Sequence, residues 1–307
     1  MGQRRVRCAD HVPDGKRAHD LLRGATRMVA ASLVFALMAL GVQVASEGLP
    51  NTMVVFFRNL LALLFVAPFA LRGGFVSLRT GRFRDHFVRT VAGLGSMYCF
   101  FYGIGHLRLA DAISLHYTLP LFIPLVEATW LKQPMSRRLW APLVLGFAGV
   151  VLVLRPGWGV FQLASLAALT AGFLSAVAQT GVRRLTATEP ASRIILYFSA
   201  MSSLASAPPA AVQWTSPSPA LWLALLLTGI LALLGQYLMT WAYAAAPASQ
   251  VGAFIYAGVP FAMLVDWLRR GILPDGFTLM GTVLICGAGV AMLRLAGPRA
   301  PRPRGIV

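Results

Sequence analysis

Between Ile194 and Val265 the chain runs for 72 consecutive residues without an Asp, Glu, Lys or Arg. A soluble domain cannot clothe itself with such a stretch, because about a quarter of its residues are charged. Over the whole chain only 12% are charged and 57% hydrophobic, with mean hydropathy +0.70. The chain therefore reads as a polytopic membrane protein, with the lipid bilayer as its first partner.

A membrane-crossing helix needs about 20 apolar residues. Windows of that kind fall at roughly 28–46, 53–71, 88–107, 112–131, 139–155, 160–180, 193–212, 220–243, 250–268 and 276–294. The breaks between them carry turn chemistry, as in "EGLPN", "RPGWG", "TATEP" and "ILPDG". The break at Ala244–Ser249 is the weakest, being short and uncharged. The predicted fold class is all-α integral membrane, with ten transmembrane helices.

The net charge of +17 sits in short clusters between apolar runs rather than on one face. Loop topology explains such clusters, and a nucleic-acid partner is not expected. With the N-terminus inside, every Arg and Lys except Arg58, Arg108, Arg155, Arg269 and Arg270 falls on the inner side. The positive-inside rule then puts both termini in the cytoplasm, and the expected location is the cell's inner (plasma) membrane. Residues 1–27 form a basic tail and 295–307 an Arg/Pro-rich one. Cys8, Cys99 and Cys286 have no metal-ligand spacing and give no disulfide framework, so neither a metal nor a cofactor is expected.

Shifting the chain by 140 residues lays Leu139–Val153, "LWAPLVLGFAGVVLV", on Leu279–Leu293, "LMGTVLICGAGVAML". The same shift brings Gly95 onto Gly235, Pro120 onto Pro260 and Pro134 onto Pro274. This predicts two five-helix repeats, 28–155 and 160–294. Five is odd, so the second repeat enters the membrane inverted, an architecture that transporters use to rock about a shared midplane site.

The segments "FFRNLLALLF", "YTLPLFIPLVEATWL" with "GFAGVVLVLRPG", and "AYAAAPASQVGAFIY" with "GTVLICGAGVAML" resemble the drug/metabolite transporter (DMT) superfamily, EamA type. The resemblance covers about 28–296 and implies ten helices around a central cavity, with substrate movement by alternating access. It departs at the ends of the fourth and ninth helices. The family often has Gly-Glu there, whereas this chain has Lys132-Gln133 and Gly271-Ile272.

Several polar residues fall inside the spans. Arg58 lies about 7 Å below the outer end of span two at 1.5 Å per residue. From there it can snorkel to the interface or pair with Glu47 or Asp111 as an anchor, or it can attract anions at the outer mouth of a cavity. Gln236, Thr240 and Tyr243 make a helical stripe, as do Tyr98 with Tyr102 and Ser175 with Gln179, while Gln43 stands alone. Such stripes either bond helix to helix or line a cavity. His116 is the one histidine deep enough to relay a proton, or it is a satisfied bundle histidine.

Pro120 and Pro260 occupy matching places in spans four and nine, and each interrupts the bond to the carbonyl four residues earlier, His116 and Tyr256. Either they kink packed helices, or they mark a substrate site formed by Tyr98, His116, Tyr117, Gln236 and Tyr256.

The favoured function is secondary transport of a small metabolite, ion-coupled or facilitative, with export ahead of import and a proton as one candidate coupling ion. A homodimer is left open. The rivals are an intramembrane enzyme on a lipid or prenyl substrate and a non-transporting scaffold. The ten acidic residues show no metal-motif spacing, which counts against the enzyme.

Overall fold

The apolar runs are helices. A computed structural model describes residues 14–71, 79–130, 138, 140–154, 163–245, 252–271 and 275–295, and among these there is no β-strand. The elements are α1 (Asp14–Ala45), α2 (Asn51–Leu71), α3 (Phe83–His106), α4 (Leu109–His116), α5 (Leu119–Trp130) and α6 (Trp140–Leu154). They continue with α7 (Leu163–Leu185), α8 (Ala191–Val212), α9 (Pro219–Ala245), a 3-10 helix (Gly252–Ala257), α10 (Gly258–Arg270) and α11 (Gly276–Leu295). Each predicted window carries helix. Five described helical stretches (Leu22–Ala45, Asn51–Leu71, Leu163–Leu185, Ala191–Val212 and Pro219–Ala245) are long and apolar enough to cross a membrane. The first helix starts at Asp14 rather than 28, so it reaches back into the segment read as a polar tail. The Ala244–Ser249 break lies largely outside the described residues.

Two windows hold interrupted helices. The fourth is split by Tyr117–Thr118 into α4 and α5, and the ninth runs as a 3-10 helix before α10. The expectation that Pro120 and Pro260 sit mid-helix is corrected: each falls in the first turn of its second segment. A first-turn backbone nitrogen has no intrahelical partner in any case, so proline costs nothing there. The split is held locally, with Thr118 donating through its hydroxyl to the Leu115 carbonyl at 2.7 Å and Leu121 N–H donating to the Thr118 carbonyl at 2.8 Å.

Small residues let these helices approach. Ala164, Ala168, Gly172 and Ala176, four apart, are all buried along α7. This is the spacing by which membrane helices bring backbones close. Ala164 and Ala168 receive α3, where a methyl group on Gly103 would stand 3.1 Å from the Ala168 methyl. The major pairings are α1 on α9, α3 on α7, α2 on α8 and α6 on α11. Outward-facing Leu163, Leu204, Leu268 and Val144 are exposed, as side chains turned to lipid would be.

Ion pairs tie the helices at both ends. At one end Arg108 holds Asp111 at 2.7 Å and crosses to Asp275 at 3.3 Å, while Arg269 bonds Glu47 and Gln43. At the other, Glu189 in the α7–α8 loop accepts from Thr80 and Arg193, both at 2.7 Å, and Arg184 reaches Asp85 at 3.4 Å. Burial alone would raise the pKa of Glu189, but Thr80, Arg193 and the nearby His86 hold it below the ordinary carboxylate value of 4.5. A depressed carboxylate pKa adds stability above the unfolded value, and that stability is lost as pH falls through the folded one. The purified protein's melting temperature is therefore expected to fall as pH drops below 4.5. Glu189→Gln should start lower and flatten the profile, and an unchanged profile would show that the Thr80 and Arg193 bonds to Glu189 do not stabilise the fold.

Candidate functional site

At the centre of the bundle, where α1 to α4 meet α7, α8 and α9, lies a cavity of about 140 Å³. Its walls are mostly apolar and aromatic. Two arginines enter it, Arg58 from α2 and Arg89 from α3, each only 3% exposed. Both stand against the ring of Phe198 on α8, with guanidinium carbons 5.8 Å and 4.1 Å from its centroid. Phe198 can come this close because α3 has Gly93 there: a methyl at that position would be 2.8 Å from the ring.

The donors are only partly used. Arg58 Nη1 donates to the Asn59 side-chain carbonyl at 2.9 Å, and Arg89 Nη2 to Gln236 Oε1 at 3.4 Å. Arg58 Nε and Arg89 Nε and Nη1 are buried without a partner. Among the described residues that line the cavity, none is a carboxylate.

A second polar group sits beside the α4–α5 break. Ser96 on α3 donates to the Ala171 carbonyl at 2.9 Å and lies 2.7 Å from the Ser175 hydroxyl, which is 3.4 Å from His116 Nε2. The two hydroxyls and the imidazole form one hydrogen-bonded chain in which each group can donate or accept. His116 Nδ1 is buried without a partner. The imidazole stacks on Phe100, 4.2 Å between centroids.

Of the predicted site residues, His116, Tyr117 and Gln236 line the cavity. Tyr256 does not reach it: its ring lies 6.4 Å behind Tyr117, and neighbouring Ile255 takes the lining place. Tyr98 is also off the wall. The α3 residues facing the cavity are Arg89, Gly93, Ser96, Met97, Phe100 and Phe101, and Tyr98 is not among them. Pro260 is exposed, and the Pro120 side chain lies outside the described residues. The His116 carbonyl, predicted to be freed toward a cavity, instead packs on α7, where a methyl on Gly172 would be 2.9 Å from it.

Arg58 corrects the anchor expectation. Its predicted surface partners are engaged elsewhere, Glu47 by Arg269 and Asp111 by Arg108. The guanidinium turns inward, to Asn59 and Phe198. Arg89 is the residue sequence reading missed, because it looked like one more loop arginine. α3 begins at Phe83, so Arg89 is already about 9 Å along the helix at 1.5 Å per residue.

The model of the EamA-like transporter family matches residues 22–155 and again 162–294. The pseudopaline exporter of Pseudomonas aeruginosa is 31% identical over 90% of this chain and 98% of its own length. The riboflavin transporter of Vibrio cholerae is 29% identical over 87% of this chain and 91% of its own. A solved crystal structure covers 91% of the chain and 98% of its own with TM-score 0.64 at 19% identity, which speaks to the fold alone. With the family model matched twice along nearly its whole length, the chain belongs to the EamA-like transporter family and is a membrane transporter rather than an enzyme.

Proposed function

We propose that the protein carries a small metabolite across the inner membrane by alternating access, as two inverted five-helix repeats closing in turn on either end of the central cavity. The observation that carries this reading is that residues from both sets of helices wall one cavity, Arg58, Arg89 and His116 from the first and Ser175, Phe198 and Gln236 from the second. The element bounds support the repeat. Displaced by 140, Asn51–Leu71 falls on 191–211 beside α8, and the α4–α5 break falls beside the junction of the 3-10 helix and α10. The same displacement exchanges the α1–α9 pairing with α7–α3 and maps α2–α8 onto itself. A two-fold pseudo-axis in the membrane plane would produce that pattern.

The ten apolar windows, oriented by the arginine and lysine bias, place both termini in the cytoplasm in this reading. The ion pairs of Arg108 and Arg269 would then close the outer end, and those of Glu189 and Asp85 the inner one. Relatives are named both for export, of pseudopaline, and for uptake, of S-adenosylmethionine. Export is the direction we favour, on the exporter's 31% identity. His116, bonded to Ser175 at the cavity wall, is the candidate relay for a coupled proton.

Comparing metabolites inside and outside cells with and without the protein should show at least one small compound displaced outward. Proteoliposomes should then exchange that compound, faster under an imposed pH gradient if a proton is coupled. If no compound shifts in cells and none exchanges in vesicles, the protein is a scaffold.

A further inference from the structure

Two guanidiniums in one low-dielectric cavity, without a carboxylate among the described residues of its walls, are an unusual expenditure. Each buried charge costs several kcal/mol unless paired. Elsewhere among the described residues the fold pairs its arginines readily, with Arg108, Arg184, Arg193 and Arg269 each holding an acid. Arg58 and Arg89 receive instead a neutral amide apiece and a share of one aromatic ring. Those contacts orient the two groups without neutralising them. Arg58 Nε, Arg89 Nε and Arg89 Nη1 remain buried and unbonded. Planar guanidiniums with free donors match the paired oxygens of a carboxylate or phosphate. Beyond this pole the lining includes Met38, Met97, Phe100, Phe101 and Met239, a surface for an apolar or aromatic body beside the polar His116, Ser175 and Gln179.

We infer that the cavity is an oxyanion site: Arg58 and Arg89 receive the carboxylate or phosphate of an organic anion whose apolar part lies against the Met- and Phe-lined wall. The inference rests on the transport reading for its biological sense but not for its test. Gln236 is a positioning residue here, holding Arg89 toward the pole, and Phe198 is the platform on which both arginines rest. Substrates lacking an anionic group would leave the two charges unpaired and bind poorly.

The probes are phenylacetate and phenyl phosphate, with phenylacetamide as the neutral near-isostere of the first, titrated on the purified full-length chain in nanodiscs. Phenylacetate is expected to bind about tenfold or more tighter than phenylacetamide, the worth of hydrogen bonds to a charged group. The phosphate arm tells which oxyanion the pole prefers. Arg89→Gln, which keeps a polar group of moderate size, should abolish the preference while the chain still elutes as a folded species. The wild-type comparison needs no variant, so a misfolded Arg89→Gln leaves it intact. Equal affinity for acid and amide, or no binding of either oxyanion at millimolar concentration, overturns the inference. Those outcomes leave transport of a neutral compound standing, whereas an anion that binds but never crosses proteoliposomes would overturn the transport reading alone.

Discussion

A Gly172→Val chain is expected to lose most of its folded protein. Gly172 is where α7 meets the interrupted helix. An added methyl would lie 2.6 Å from the Thr118 hydroxyl oxygen, 2.9 Å from the His116 carbonyl and 3.2 Å from the Leu115 carbonyl. Two of these are backbone atoms at the end of α4 and cannot swing aside as a flexible side-chain tip would. The third is the hydroxyl that caps the break by bonding the Leu115 carbonyl. Overpacking by a single methylene typically costs about 1–3 kcal/mol, so Gly172→Ala should already lower the melting temperature. Valine, branched at the same carbon, should leave little monodisperse protein by size-exclusion chromatography. Gly287 on α11, where an added methyl meets nothing within 4 Å, is the control, and Gly287→Ala should melt near the wild type. A Gly172→Val protein with wild-type yield and melting would mean that α7 does not support the break.

How much of this was legible beforehand depended on the kind of signal. The helices were, because a bilayer demands about 20 apolar residues per crossing and the turns between them are written in Gly, Pro and charge. The interruptions of the fourth and ninth windows were also legible, through Pro120 and Pro260, but their local geometry was not. A proline is equally at home at a kink or in a first turn, and only the neighbouring Thr118 cap and Gly172 surface decide which. Tyr98 was misplaced because a helical stripe gives a face without saying which face looks inward. Arg89 was hidden by the rule that oriented the chain, which treats arginines near span ends as loop markers. The signal was present nonetheless: Arg89, Gly93, Ser96 and Phe100 follow at helical spacing and lead from the charge to the His116 wall.

Arg58→Lys separates the anchor from the site. An anchoring arginine tolerates lysine, whose ammonium also reaches an interface. The observed Arg58 does something lysine cannot. Its planar group is bonded to Asn59 through one nitrogen, stands 5.8 Å from the Phe198 centroid and keeps Nε free. Lysine supplies a compact point charge on a flexible stem, with no planar fork to share between Asn59 and a ligand. The charge that must be buried is the same, so folding should survive, with yield and melting close to wild type. Phenylacetate affinity should nevertheless fall by about tenfold, since one charge-assisted contact is lost. Asn59→Ala should weaken binding in the same direction by loosening the guanidinium. Removing Glu47, the surface carboxylate that Arg269 already holds, should leave affinity unchanged. A folded Arg58→Lys protein with wild-type affinity would return Arg58 to the role of a post, and the oxyanion pole would then rest on Arg89 alone.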